Sequence, residues 1–340
     1  MDFEFSAEQE MLRSSVRAFL EAHAPLALVR ATYETGHVDR KLWEGLADLG
    51  VLDLGMVDSA VVLEELGRAL SPVPFVSSAV GARALYPGLA RTSTIGTIAV
   101  YEAGRRYDWR TPRCRATRSN GDWALDGEKV HVPDPSGADV FVVTATDERG
   151  DLGVFVTAAA TVDPTETIDG SRPQGRTRFK HAAAQRLDVG ADEVAQAIDR
   201  LGVAAVVDGV GAAGRALELA VQYAHERVQF GKPIGSFQAV QHLCADMLRT
   251  VELGRAAGYY ACWALDDAPP DEAHRAATLA RAFAADAFPA LGATAIQVFG
   301  GVGFTWEHDI HLYYKRLLGQ SVALGTASDH LEELANIAIR

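Results

Sequence analysis

Apolar residues recur at helical spacing in the first part of the chain. Five of them fall on one face of a helix: Met11, Leu12, Val16, Phe19 and Leu20. Ser6, three residues before Gln9, completes the capping-box pattern that begins such a helix. Similar spacing predicts further helices over 41–49, 57–70 and 77–85. Residues 1–93 are therefore predicted to form an all-α N-terminal domain.

The pattern changes near residue 94, where short β-prone runs replace the helical periodicity. These runs cover residues 97–101, 123–127, 140–144 and 153–157. Turn-forming segments such as Pro133-Asp-Pro-Ser136 separate them. Residues 94–183 are therefore predicted to form a small middle antiparallel β-domain.

Helical periodicity returns from about Asp192 and continues along the rest of the chain. It predicts helices over 201–227, 237–265, 271–299 and 309–318, and a last helix from Ser328. The first of these would be about 40 Å long at 1.5 Å per residue. Residues 184–340 are therefore predicted to form a helical bundle. The order of helices, then sheet, then helices indicates an α+β fold and not a βαβ alternation.

Charge and cysteine content narrow the class of protein. The chain has 32 basic and 45 acidic residues, a formal net charge of −13, so nucleic acids and anionic membranes are not expected as partners. Cys114, Cys244 and Cys262 are widely spaced, as in a protein with reduced thiols. The acidic N-terminus lacks the pattern of a signal peptide, and no apolar run approaches the ~20 residues that span a bilayer. A cytoplasmic location is expected.

The segment Gly209-Val-Gly-Ala-Ala-Gly214 matches the GxGxxG fingerprint of dinucleotide-binding folds. Such a fold also needs an acidic residue about 20 positions later, at the end of a second strand, to hold the ribose. No acidic residue lies between Glu226 and Asp246, and the segment continues with helical periodicity. We therefore interpret these glycines as positions of close helix packing, with a Rossmann enzyme as the weaker alternative.

His308 and His311 are three residues apart and could bind a metal from one face of a helix. No third ligand stands at the spacing of a known metal motif. A solvated or capping role is favoured for both.

Two glycine-containing segments carry the clearest chemical signal. Arg227 ends a long predicted helix, and Phe230 and Gly231 follow closely. An arginine is a permanently charged, fork-shaped donor that suits a pyrophosphate, and a glycine lets a ligand approach the backbone. A second such segment, Gln297-Val-Phe-Gly-Gly301, follows another long predicted helix. Together the two segments predict a nucleotide-binding site.

These segments also carry a family resemblance. The stretch 223–247, with Arg-Val-Gln-Phe-Gly-Lys-Pro-Ile-Gly inside it, resembles the acyl-CoA dehydrogenase family, as do 297–309 and 61–68. The resemblance covers essentially the whole chain. It implies a three-part fold, FAD as cofactor and α,β-dehydrogenation of an acyl-CoA thioester. It also implies that the ADP half of an FAD held mainly by a neighbouring subunit contacts Arg227, Gln229, Phe230, Gln238, Gln297, Gly300 and Gly301, with Thr326 near the cofactor.

The family reaction removes a proton α to the thioester while a hydride leaves the β-carbon for the flavin, so a carboxylate must reach that proton. In related enzymes this base precedes a Gly-Thr turn or lies near the start of the long helix that ends in the arginine. By resemblance, the two positions are Leu324 and about Leu201, and leucine cannot accept a proton. Asp199 and Asp208 are the alternatives as a displaced base. Asp199 equally fits a helix-start acid, and Asp208 a polar residue on a packed helix.

The β-domain departs from the family as well. Residues 101–107 and Val130-His-Val-Pro133 stand where the family has an acidic glycine-containing loop and a Trp-Ile-Thr/Ser element. The chain thus keeps the ADP half of the pattern and lacks the flavin-ring half and the base. It resembles the short, non-catalytic subunit of the α2β2 acyl-CoA dehydrogenases of actinobacterial steroid side-chain degradation.

That resemblance implies a homologous catalytic acyl-CoA dehydrogenase subunit as partner and a steroid side-chain CoA as substrate. Three alternatives stay open. They are a self-sufficient homo-oligomeric dehydrogenase with a displaced aspartate base, a flavin-free scaffold or CoA-binding protein, and an oxygen-using flavin enzyme of the same fold.

Overall fold

The computed structural model describes residues 5–91, 93–119 and 121–339. The chain divides into two compact units. The helical unit comprises Met1–Val29, Gly55–Ser71 and Gly202–Arg340, and the sheet unit comprises Arg30–Leu54 and Pro72–Leu201. The three-part division at residues 93 and 183 stays a prediction.

The helices and strands follow one another in the predicted order. The helices are α1 Ala7–His23, α2 Leu26–Thr35, α3 Arg40–Asp48, α4 Met56–Arg68, a π-helix Phe75–Ala82 continued by α5 Arg83–Leu85, α6 Ala191–Glu226, α7 Gln238–Asp267, α8 Pro270–Phe299, α9 Ile310–Ala323 and α10 Ala327–Ile339. The strands are β1 Gly96–Ala99, β2 Arg115–Ser119, β3 Asp122–Pro133, β4 Val140–Thr146, β5 Leu152–Thr157, β6 Thr161–Thr165, β7 Gln174–Arg186, β8 Val228–Gln229 and β9 Lys232–Pro233.

In the helical unit, α8 packs against α7, α9 and α10, while α4 packs against α1 and α7. The predicted capping box is confirmed, since Ser6 Oγ accepts from the Gln9 amide and the Gln9 side chain accepts from the Ser6 amide. Two partly buried ion pairs hold α4 against its neighbours. Arg17 of α1 donates two hydrogen bonds to Glu65, and Arg255 of α7 binds Glu64.

The GxGxxG segment lies inside α6, so the preceding residues form no strand. A Cβ added to Gly211 would lie 1.9 Å from the backbone oxygen of Glu64, and one added to Gly67 would lie 1.8 Å from that of Asp208. Glycine is required on both sides of this crossing because the two backbones nearly touch. The prediction of close helix packing is confirmed.

In the sheet unit, the sheet runs in the order β1-β4-β2-β3-β7-β5, with β6 on β7 and a further pairing of β4 with β5. Most pairs are antiparallel, but β1 and β2 both pair with β4 in parallel. The predicted antiparallel pairing therefore holds for most pairs and fails for these two, because the chain passes through β2 and β3 after β1 and returns to β1 in the same direction as β4. The buried side chains of Phe141, Phe155 and Phe179 form part of the core.

One segment, Pro270–Phe304, is long and apolar enough to cross a membrane by length and composition. It consists of α8 and the turn that follows. In the structure α8 is the helix against which α7, α9 and α10 pack, and buried core helices pass the same test.

Candidate functional site

The first predicted segment forms an exposed hairpin at the end of α6. The Arg227 amide closes the helix by donating to the Tyr223 carbonyl, and β8 and β9 then pair across a two-residue turn. That turn is Phe230-Gly231, with φ of +53° and +77°. Positive φ at both turn positions is the geometry of a tight hairpin turn, and glycine adopts it without strain. The turn holds the Phe230 side chain in solvent, 92% exposed.

The hairpin packs against the start of α7. The rings of Phe230 and Phe237 meet edge to face with centroids 6.1 Å apart, and Lys232 Nζ lies 4.4 Å from the Phe237 ring centre. Gln238 is the first residue of α7 and is exposed. The first turn of α7 contains no acidic residue, so its positive end is unopposed from within the turn.

The second predicted segment forms the end of α8. Gly300 ends that helix with φ +66° and ψ −145°, and its amide donates back to the carbonyls of Gln297 and Ile296. No atom lies within 4 Å of a Cβ placed on Gly300, Gly301 or Gly231. The backbone of these glycines is therefore open to close approach by a ligand.

The structure brings the two segments together. The ring of Tyr223, one turn before Arg227, stacks on the ring of Phe299, next to Gly300, with centroids 4.4 Å apart. His308 also contacts Phe299, and its Nδ1 accepts from the Ile310 amide. This is the capping role predicted for His308, and the described residues contain no group of three or more potential metal ligands.

This surface suits the ADP half of a dinucleotide. The exposed Arg227 guanidinium can donate a fork of two hydrogen bonds to a pyrophosphate, and the open glycines leave room for that group. Gln229 and Gln297 are exposed amides on the same two segments. Gln229 Nε2 donates to the Val228 carbonyl, so its oxygen faces away from that bond.

Thr326 belongs to a different part of the helical unit. Its hydroxyl and amide both donate to Asp329 Oδ2, at 2.6 and 2.9 Å, and cap the start of α10. The described contacts do not bring Thr326 to Arg227 or Gln297. Its predicted place near the cofactor stays a prediction.

The first base position, Leu324, lies at the end of α9 and lines a pocket within the helical unit. None of the described residues lining that pocket is acidic. In the sheet unit, Leu201 is buried at the second position, and its Cδ2 would lie 2.6 Å from a Cβ on Gly81. Both predicted positions are therefore apolar packing residues in the structure.

Asp208, an alternative base, is engaged in a buried ion pair. Its two carboxylate oxygens lie 3.0 and 2.8 Å from Arg316 Nη1, and both side chains are fully buried. Gln320 Nε2 donates to the same carboxylate at 2.5 Å. An ionised carboxylate held by a permanent cation is a poor proton acceptor, so this geometry favours the structural reading of Asp208. Asp199 is buried in the sheet unit.

The sheet unit holds a second buried ion pair, beside the altered loop. Lys129 Nζ donates to Glu102 Oε1 at 2.7 Å and lies 3.2 Å from Thr144 Oγ1. Burial alone would favour the neutral acid, but Lys129 and the amides of Cys114 and Arg113 together hold the pKa of Glu102 below its usual value. This pair locks the start of the loop to β3.

The end of β3 differs from the family pattern, in which a Trp-Ile-Thr/Ser element stands at this place. His131 is exposed with φ +53°, at a register shift of the β3–β7 ladder. Pro133 has neither an amide hydrogen nor a hydroxyl to donate, and its carbonyl accepts from Thr97 Oγ1. The residues present therefore fit the ADP half of FAD and do not reproduce the flavin-ring half.

Sequence reasoning missed Arg316, Gln320, Arg281 and His330, which set the charge around Leu324 and Asp208. Arg316 lies 108 positions from Asp208 in the chain. Neither residue stands in a recognisable motif, so their pairing carries no local signal.

Comparison with known proteins identifies the family of the chain. A sequence model of the acyl-CoA dehydrogenase C-terminal domain matches residues 190–338, and one of the N-terminal domain matches residues 6–91. The acyl-CoA dehydrogenase IpdE2 of Mycolicibacterium smegmatis is 31% identical, over 97% of this chain and 98% of that protein.

Two solved structures are similar over nearly the whole chain. A variant of the Tcur3481-Tcur3483 steroid ACAD has a TM-score of 0.88 and 30% identity, and the alignment covers 98% of both chains. The ChsE4-ChsE5 complex from Mycobacterium tuberculosis has a TM-score of 0.88 and 25% identity, over 100% of this chain and 99% of that one.

Proposed function

The chain belongs to the acyl-CoA dehydrogenase family, and on that premise we propose that it is the non-catalytic subunit of a heteromeric enzyme. In that assembly, an α2β2 heterotetramer, Arg227, Gln297 and their neighbours bind in trans the ADP half of an FAD. The flavin ring and the catalytic base lie on a homologous partner subunit.

FAD is the cofactor of this family, whose members are oxidoreductases that dehydrogenate acyl-CoA thioesters. When bound, FAD supplies the hydride acceptor for the reaction. What this chain supplies is an exposed guanidinium, exposed amides and open glycine backbone at the ends of α6 and α8. These groups bind and orient a nucleotide and do not move a proton.

The observation that carries the proposal is that leucine stands at both positions where the family keeps its base. Leu324 lines a pocket in which no described lining residue is acidic, and Leu201 is a packed core residue. Asp208 is neutralised by Arg316. General-base catalysis by a positioned side chain contributes about 10²- to 10⁴-fold, so a subunit without one depends on its partner for turnover.

The proposed substrate is the CoA thioester of a steroid side chain. Support comes from similarity to a protein named a steroid ACAD, and the name ChsE4-ChsE5 complex describes a relative that consists of two chains. A cytoplasmic location accords with the acidic surface and reduced cysteines.

The test is to purify the chain alone and together with a homologous subunit encoded beside it. The proposal predicts flavin absorbance and acyl-CoA oxidation in the complex only. Full FAD content and turnover in the lone chain would favour the self-sufficient dehydrogenase. A complex without flavin would favour a scaffold or CoA-binding role, and oxygen consumption with substrate would favour an oxygen-using enzyme.

A further inference from the structure

Basic residues are concentrated in one stretch of the sheet unit, residues 105–118, which we call the arginine segment. It holds six basic residues and one acidic residue, a formal charge of +5, which leaves 26 basic and 44 acidic residues and a charge of −18 for the rest of the chain. All six are arginines: Arg105, Arg106, Arg110, Arg113, Arg115 and Arg118. Five of them, all except Arg105, are exposed. Such a concentration of cations on an acidic chain attracts an anionic partner to this segment.

The structure holds the end of the loop in a fixed shape through Glu102, which is buried. Its oxygens accept from the amides of Arg113 and Cys114 at 2.7 and 3.0 Å, and from Lys129 Nζ at 2.7 Å. This carboxylate is therefore engaged inside the sheet unit and leaves the Arg113 side chain exposed.

The one acidic residue of the segment, Asp108, holds the middle of the loop. It accepts from Thr111 Oγ1 at 2.7 Å, from Arg105 Nη2 at 2.5 Å and from the Arg110 amide at 3.0 Å. The Thr111 hydroxyl, Arg105 and this amide together lower the pKa of Asp108 to about 2. The Arg110 guanidinium carbon lies 4.4 Å from the ring centre of the buried Trp109. Arg110 is thus partly ordered before a ligand arrives, which lowers the entropy cost of binding.

Along the last part of the segment, side chains alternate between core and solvent. Cys114 and Ala116 belong to the core of the sheet unit, whereas Arg113, Arg115 and Thr117 are exposed. Arg113 and Arg115 therefore lie in one outward row, about 7 Å apart along the chain. This spacing suits two separate carboxylates, such as those of acidic residues one helical turn apart or two residues apart on a strand.

Two further acidic residues lie close to this row. Asp126 is the partner of Arg115 in the β2–β3 register, and its Oδ1 accepts from the His181 amide at 2.7 Å. Glu148 Oε1 accepts from the Arg118 amide at 2.9 Å. These two charges reduce the charge of +5 but leave the area net positive.

We propose that the arginine segment is a docking surface for an acidic stretch of another protein. In this complex, Arg113 and Arg115 each bind one carboxylate, and the ordered Arg110 adds a third contact. A planar, forked guanidinium matches the two oxygens of a carboxylate. The charge of −18 on the rest of the chain repels long nucleic acids and anionic membranes, so a protein surface of limited size is the favoured partner. The proposal does not depend on FAD.

The test measures fluorescence anisotropy of a labelled ten-residue polyglutamate peptide titrated with the full-length chain. We expect saturable binding with a Kd below about 1 mM at 50 mM salt, at least about fivefold weaker at 300 mM salt, because exposed charges are screened. Tripolyphosphate and phosphatidylglycerol vesicles are titrated in parallel, as probes for a phosphate ligand and for a membrane.

A double variant and a matched control test the recognition. Arg113→Gln with Arg115→Gln should weaken peptide binding by at least about fivefold and leave the melting temperature unchanged, since both side chains are exposed. Arg249→Gln with Arg275→Gln removes two exposed arginines of the helical unit and changes the net charge equally. That control should change binding by less than about twofold.

The proposal is overturned if the peptide does not saturate, or if the control variant weakens binding as much as the double variant. It is also overturned if tripolyphosphate or the vesicles bind through Arg113 and Arg115 more tightly than the peptide, which would assign a phosphate ligand or a membrane instead. If the double variant does not fold, Arg115→Gln against Arg275→Gln decides the question.

Discussion

The surface around Arg227 and the pocket around Leu324 lie in the same helical unit but are built in opposite ways. Around Arg227 the side chains are exposed, and the space over Gly231, Gly300 and Gly301 is open. Around Leu324 the titratable lining side chains, Arg281 and His330, are buried, and none of the described lining residues is acidic.

This difference separates two tasks that one chain of a dehydrogenase would otherwise combine. A surface that another molecule completes needs exposed donors and open backbone. A proton-transfer site needs an ionisable group whose charge is not already neutralised. In our proposal the chain provides the first kind of site, while the residues at the positions of the second kind are engaged in packing and ion pairing.

The largest expected effect is on the stability of the buried region around Asp208 and Leu324. Asp208→Asn leaves Arg316 buried without its counter-charge and should lower the free energy of unfolding by about 3–5 kcal/mol. Asp246→Asn, in an exposed pair with Arg249, should change it by less than about 0.5 kcal/mol. Denaturant midpoints measure both, and turnover is assayed on the folded complex. Loss of turnover with unchanged stability would mean that Asp208 is a base after all.

The next largest expected effect is on FAD retention at the exposed surface around Arg227. Arg227→Gln in the complex should weaken FAD retention by about 10- to 100-fold, because a hydrogen bond to a charged group contributes about 1.5–3 kcal/mol. The melting temperature of the lone chain should not move, since the side chain is exposed. Arg249→Gln, an arginine 70% exposed on α7, is the matched control. Equal FAD retention in both variants would remove Arg227 from the cofactor site.

A pH effect sharpens the description of the pocket. His330 has a pKa of about 4 in the folded chain and 6.5 as its ordinary value, so the unfolded chain binds the proton more tightly. Stability from this residue is present above about pH 6.5 and is lost as the pH falls towards 4, by about 2 kcal/mol between pH 7.5 and pH 5. Urea midpoints at the two pH values, for the wild type and His330→Gln, measure the difference. A variant with the same pH dependence as the wild type would contradict this account.

The smallest expected effect is on catalysis at the predicted base position. Leu324→Ala should leave the turnover of the complex within about twofold, because a leucine takes no part in proton transfer. Steady-state rates at saturating acyl-CoA provide the measurement. A loss of 10²-fold or more, with FAD content retained, would show that this loop acts in the chemistry.

The two regions also differ in how far the sequence predicts them. Arg227, Phe230, Gly300 and Gly301 stand in short contiguous motifs at helix ends, and local backbone rules place each one. That the two motifs meet depends on the Tyr223–Phe299 contact, which links positions far apart in the chain. In the second region the buried ion pair joins Asp208 to Arg316, 108 positions away, and the pocket is lined by Arg281 of α8 and Gln320 of α9. No local pattern predicts that these residues meet.

The fold shows the same limit. The sequence pattern predicts most of the long helices, and the apolar strands β4 and β5, to within a few residues, but α6 begins at Ala191, ten residues before the predicted start. The pattern of apolar residues does not predict β2 and β7, whose charged and polar residues face solvent on one side. Nor does it predict the short helix α2 or the parallel pairing of β1 with β4, since pairing partners are set by the path of the chain.

The central claim is that this chain completes an FAD site on another subunit. The most direct measurement titrates the chain into its purified homologous partner and follows FAD fluorescence and acyl-CoA oxidation together. The account predicts that the partner holds FAD tightly and turns over only when this chain is added, while the chain alone does neither. A chain that binds stoichiometric FAD and oxidises acyl-CoA without a partner would contradict it.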